Sequence, residues 1–113
     1  MPRTYPQGVP CWVDCDVPDQ HAATEFYGEL FGWTFEDAMP PDLPDSYFIA
    51  KLDGQDVGGI GPSDTTGTWN TYIAVDSCDA VAATVPNLGG TLDVGPIDAG
   101  PGGRWAACTD PYG

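Results

Sequence analysis

The feature that most constrains this fold is a repeat. Trp12, Asp19, Phe31-Gly32 and Thr34-Phe35 are followed 57 positions later by Trp69, Asp76, Leu88-Gly89 and Thr91-Leu92. At the same displacement Trp105 falls under Phe48, Ala107 under Ala50 and Asp110 under Asp53. Agreement over about forty positions, loops included, points to duplication of a small motif. Whatever the first half builds, the second half is expected to build again. Two departures accompany the repeat. The strand near Trp69 fits better at a displacement of 58, where Ile73 and Val75 take the places of Cys15 and Val17. Pro86 also interrupts the second helical segment, which is expected to stop or kink near Thr84.

The first half reads β-α-β-β-β. Residues 10–17 alternate, with Cys11, Val13, Cys15 and Val17 on one face and Trp12, Asp14 and Asp16 on the other. That is the pattern of a half-buried strand. Asp19 then suits a helix N-cap, and Ala22, Ala23, Phe26, Tyr27, Leu30 and Phe31 recur at helical spacing up to a stop at Gly32. Residues 33–37 read as a short strand and the proline-bearing stretch from Met39 to Pro44 as a loop. Strands over 46–52 and 55–60 meet at Asp53-Gly54, a hairpin turn signal. The second half follows the same order as far as Asp110-Pro-Tyr-Gly113, a type I turn pattern. It has no counterpart to the strand Val57-Gly-Gly-Ile60, so the eighth strand is missing.

The 113 residues suffice for one domain, with 42% hydrophobic residues for a core. Three Lys and Arg against seventeen Asp and Glu leave a formal charge of −14. Such a surface repels phosphate backbones and anionic lipid, which excludes nucleic acid and membrane-surface roles. The charge reads either as an ordinary solvated acidic surface or as adaptation to high salt. No apolar run approaches a membrane span, and the first residues lack the apolar core of a signal peptide. A cytoplasmic location is expected. Four cysteines in such a setting read as free thiols, with Cys15 and Cys108 as small buried apolar side chains. Cys11 and Cys15 stand too far apart along a strand for a bridge, and with His21 as the single histidine a structural zinc site lacks ligands. His21 falls in the first turn of the helix, where a surface position is expected.

The helix text Phe26-Tyr27-Gly-Glu-Leu-Phe-Gly-Trp33, the duplicated β-α-β-β-β unit and the turn Asp110-Pro-Tyr-Gly113 resemble the vicinal oxygen chelate superfamily. That group includes glyoxalase I, bleomycin- and fosfomycin-resistance proteins, extradiol dioxygenases and methylmalonyl-CoA epimerase. The opening Gly8-Val-Pro-Cys-Trp-Val-Asp and the later Gly58-Gly-Ile-Gly-Pro62 resemble a glyoxalase-like subgroup of actinobacterial type, often built as tandem domains. The resemblance covers nearly the whole chain. It implies an α+β domain over residues 1–113, with repeat one at 8–62 and an incomplete repeat two at 67–113, folded into a cupped mixed sheet.

In the superfamily's enzymes a divalent metal lies in the cup, held by His, Gln or Glu on the first and last strands of each repeat. Carried over, those positions fall at Trp12, at Trp69 (or Asn70 at the displacement of 58) and at Gly58 or Gly59. None is a histidine or a carboxylate. A metal-free site and no cofactor are therefore expected. Asp14 and Asp16 share the strand face with Trp12, where paired carboxylates hold a hard cation, trade protons, or simply belong to an acidic rim. The expected ligand-binding residues are Trp12, Asp14, Asp16, Tyr47, Trp69, Tyr72 and Trp105, an aromatic wall beside acid that suits a flat cationic molecule. Three functions compete on this reading. They are a metal-independent small-molecule-binding protein of the bleomycin-resistance type, a metal-dependent lyase, isomerase or dioxygenase, and an assembly domain whose cup is filled by its own side chains. A homodimer is expected, because superfamily members pair cups and because the strand over 104–109 lacks a neighbour.

Overall fold

The computed structural model describes residues 5–65, 67–100 and 103–113. The first residues of the chain, on which the reading of its start depends in part, lie outside them at 1–4. The chain divides into two compact units, one formed by Pro10–Ile73 and the other by Met1–Val9 with Ala74–Gly113.

The Pro10–Ile73 unit follows the expected order. It comprises β1 (Pro10–Val17), α1 (Gln20–Phe31), β2 (Thr34–Asp37), β3 (Phe48–Leu52), β4 (Gln55–Pro62) and β5 (Thr68–Ile73). Helix α1 starts where Asp19 accepts a hydrogen bond from the Ala22 amide and stops at Gly32, whose φ of 73° only glycine adopts freely. The β3–β4 hairpin turns on Asp53 and Gly54, with φ of 52° and 78°, the two positive values that a two-residue primed turn needs. The five strands form one mixed sheet in the order β2-β3-β4-β1-β5. β1 pairs parallel with β4 and antiparallel with β5. The sheet face toward α1 holds Cys15, Ala50 and Ile60, all buried. An amide of Gln20 ties the start of the helix to the carbonyls of Ser46 and Ile60. Tyr27, Phe31, Trp33 and Phe35 form a chain of ring contacts between helix and sheet. His21 is exposed, as expected, and packs edge-on against Phe48.

The other unit contains α2 (Cys78–Thr84), a 3-10 turn (Pro86–Leu88), β6 (Thr91–Asp98) and β7 (Arg104–Thr109). Pro86 ends the helix where expected, because its ring removes a backbone donor. The N-cap is Ser77, whose hydroxyl accepts from the Ala80 amide, not Asp76. Ser77 lies 58 positions after Asp19, so the displacement is 58 up to the helix and returns to 57 at the left-handed Gly89. β6 and β7 make a separate antiparallel pair, with Trp105 opposite Ile97 and Cys108 opposite Leu92. Cys108 is exposed, which corrects the expectation of burial: its face of this two-stranded ribbon is uncovered. All four cysteines are free. Among the described residues no strand follows β7, and no helix is long and apolar enough to cross a membrane.

Candidate functional site

Alternation along β1 places Trp12, Asp14 and Asp16 on the sheet face opposite α1. Pairing with β5 sets Trp12 against Tyr72 and Asp14 against Asn70, so the same face continues across that strand. Asp14 is 4% exposed, a depth at which an unpartnered carboxylate is very costly. Its partners are complete. One oxygen accepts from the hydroxyls of both Tyr47 and Tyr72 at 2.9 Å, and the other accepts from the Asn70 amide at 3.0 Å. The Trp12 indole N–H in turn donates to the Tyr47 hydroxyl at 2.9 Å. Burial raises both phenol pKa values well above the usual range, and the Asp14 charge beside them adds to the shift, so both tyrosines stay protonated and act as donors.

Two glycines make this arrangement possible. Gly59 and Gly61 on β4 lie opposite Asp14 and Asp16. A methyl group at Gly59 would overlap the Tyr47 ring, and one at Gly61 would meet the Asp16 carboxylate at 2.7 Å. The run Gly58-Gly-Ile-Gly61 therefore serves close approach: side chains are absent on the polar face and Ile60 fills the helix face.

Asp16 differs from Asp14. The Asn70 amide that binds Asp14 also donates to one oxygen of Asp16 at 2.9 Å. The other Asp16 oxygen has no hydrogen-bond partner among the described residues. Burial raises the Asp16 pKa first and the Asp14 charge second, with the Asn70 hydrogen bond opposing both. Desolvation, then Asp16 and Asp14, push the Cys15 thiol up as well, which keeps it a neutral core group.

Of the residues singled out from the sequence, Trp12, Asp14, Asp16, Tyr47 and Tyr72 come together here. Trp69 does not join them. It pairs with Cys15, faces α1, and donates its indole N–H to the Tyr27 hydroxyl at 3.2 Å. The displacement of 58, not 57, holds along β5, so Asn70 takes the place expected for Trp69. Trp105 stands on β7 in the other unit. The bridging role of Asn70 had a sequence signal in that alternative displacement. Neither the burial of Asp14 nor the clearance over Gly59 had one.

The described residues contain no group of three or more His, Cys, Asp or Glu placed to hold a metal ion. The two neighbouring carboxylates already share the Asn70 N–H donor, and Trp12 and Gly59 supply no side-chain lone pair.

The structure resembles that of a selenomethionyl methylmalonyl-CoA epimerase, with a TM-score of 0.53 and 21% identity over 89% of this chain and 86% of that one. That likeness concerns the fold. By sequence the chain is 42% identical over 121 residues to "Putative glyoxylase CFP32" of Mycobacterium bovis. It is 33% identical over 130 residues to the anthracycline biosynthesis protein DnrV of Streptomyces peucetius. Both matches take in all of this chain and 46% of the relative, so the chain spans about half the length of those proteins. The sequence profile of the Glyoxalase/Bleomycin resistance protein/Dioxygenase superfamily matches residues 12–113, from the tryptophan of the polar face onward. Fold, relatives and profile agree, and the chain belongs to that superfamily.

Proposed function

We propose that the Trp12–Asp16 face binds a flat, amine-bearing organic molecule without a metal ion. The contrast between its two aspartates carries this reading. Asp14 is saturated by Tyr47, Tyr72 and Asn70 and builds the floor. Asp16 keeps one oxygen open beside the bare backbone of Gly61. Along one strand the Trp12 ring and the Asp16 carboxylate are roughly 13 Å apart, a span suited to a fused-ring ligand with a charged end. Ring stacking and charge then act on different parts of the ligand. A relative named for anthracycline biosynthesis agrees with a polycyclic ligand class.

The test is tryptophan fluorescence titration against a panel of planar amines and their neutral analogues. Trp12→Ala is expected to weaken binding by ~1–3 kcal/mol, the range for bases stacked on aromatic side chains. Asp16→Asn is expected to weaken the amines and leave the neutral analogues unchanged. Unchanged binding of every hit by Trp12→Ala would refute the assignment. No hits at all would favour a face that only packs.

Metal independence is part of the proposal. The donors present do not suit a resident divalent ion, since an N–H group stands where the two carboxylates converge. Elemental analysis of the purified protein is expected to show no stoichiometric Zn, Ni, Fe or Mn. About one metal per chain would restore the reading of a metal-dependent lyase, isomerase or dioxygenase. The proposal also includes a homodimer, which light scattering at high protein concentration checks; a strict monomer counts against it.

A further inference from the structure

Every side-chain donor of the polar cluster is spent inside it. The Trp12 indole N–H goes to Tyr47, and the Tyr47 and Tyr72 hydroxyls go to Asp14. Asn70 Nδ2 has two N–H groups, one directed to Asp14 at 3.0 Å and the other to Asp16 at 2.9 Å. What is left over is acceptors. One is the second Asp16 oxygen. Another is the side-chain oxygen of Asn70, which accepts no hydrogen bond among the described residues.

The two aspartates fix which way that amide lies. Turned over, it would set its oxygen against two carboxylates, acceptor against acceptor, so the nitrogen faces them and the oxygen faces elsewhere. Asn70 is half-buried, and among the described residues no buried side-chain oxygen or nitrogen lacks a partner. Asn70 Oδ1 is therefore open to water. An amide holds its oxygen and nitrogen roughly 2.3 Å apart, which puts Oδ1 within about 5 Å of the Asp16 carboxylate. One nitrogen with two or more N–H groups bridges two acceptors at that separation, each bond being about 2.8 Å long. A nitrogen with a single N–H serves one of them and leaves the other without a donor.

We infer that Asn70 selects the end group of the ligand, favouring a primary ammonium over a tertiary one, by accepting from it at Oδ1 while the Asp16 carboxylate accepts beside it. This selectivity rests on the face taking flat amines at all, and it narrows that class to those with two or more N–H groups. Asn70 then has two roles at once. The donor contacts that hold Asp14 and Asp16 are the same ones that present its oxygen to the ligand. Molecules ending in a carboxylate, a phosphate or a carbonyl find no free side-chain donor in the cluster.

The experiment titrates the protein, by tryptophan quenching at neutral pH, with three compounds that share one ring system. These are an aminomethyl anthracene, its N,N-dimethyl derivative and the corresponding alcohol. Both amines are charged at neutral pH, so they differ in N–H count and not in charge. The primary amine is expected to bind roughly tenfold tighter than the dimethyl amine, and Asn70→Ala to bring the two within about twofold. A second readout needs no variant, and it decides alone where Asn70→Ala does not fold. The Asn70 side-chain carbonyl carbon resonance is expected to shift with the primary amine and to stay in place with the dimethyl one. Equal binding of the two amines, both tighter than the alcohol, overturns the selectivity and leaves the amine-binding face intact. A preference for the primary amine that survives in Asn70→Ala, or a carbonyl resonance that does not move, overturns it as well. No binding of either amine overturns the reading of the face, and the selectivity falls with it.

Discussion

Asp14 and Asp16 are two residues apart on one strand face, yet they have opposite physical roles. Asp14 is a buried acceptor for three donors on its two oxygens, so an Asn there keeps an acceptor on one side only and turns an N–H donor toward either the two phenols or the Asn70 amide. Asp14→Asn is expected to cost about 2–3 kcal/mol, the range for hydrogen bonds to a buried charged group, measured by urea denaturation. Asp16 keeps most of its acceptor capacity free, and burial disfavours its ionised form. Its folded pKa is raised, so its ionised form opposes folding above that pKa, and protonation relieves the penalty as pH falls. Asp16→Asn is therefore expected to raise the melting temperature at neutral pH, with the gain fading as pH falls through the raised folded-state pKa and gone below the ordinary aspartate value of 3.8. A variant less stable than wild type at neutral pH would contradict this sign. None of the difference is legible in the spacing of the two residues, which share a strand, a face and a charge. Their environments diverge because Tyr47 and Tyr72 arrive from other elements and reach only Asp14.

At the level of elements, the polar face exists because β4 has no side chains where Tyr47 and Asp16 need space. Gly59→Ala places a methyl group inside the Tyr47 ring, so the ring must swing away and release both Asp14 and the Trp12 indole. Loss of stability of about 1–3 kcal/mol is expected, together with a shifted Trp emission spectrum; an unchanged spectrum would mean that Tyr47 has not moved. The β3–β4 turn gives a complementary check. Asp53 sits at a φ of 52°, where a β-branched residue is strained. Asp53→Val is expected to cost about 1–2 kcal/mol while Asp53→Asn is nearly neutral. The caps at Asp19 and Gly32, this turn and the stop at Pro86 were all readable in the sequence, because each is local chemistry acting within a few residues. The shift of the second helix start to Ser77 was not, since one inserted position is invisible when Asp76 and Ser77 are both competent caps.

For the whole molecule, charge is the dominant global term. Lys51 pairs with Asp56 at 2.7 Å, and Arg104 pairs with Asp79 at 2.9 Å, both on the surface. Each such pair contributes about 0–1 kcal/mol, and salt weakens it. Self-repulsion at −14 is spread over the entire chain and salt weakens it too. Repulsion is the larger quantity, so the melting temperature is expected to rise between low and molar NaCl; a flat or falling trend would reverse that ranking. The sequence by itself determined the order of elements and the caps and turns that bound most of them, because periodicity, capping and turn residues act locally. It also determined that Trp12, Asp14 and Asp16 share a face, since alternation along one strand needs no partner. Only the tertiary structure decided which of Trp69 and Asn70 faces them, and which aspartate is buried. The reason is that strand register is set by pairing between segments more than fifty residues apart, and a slip of one residue exchanges every side chain between the two faces of the sheet.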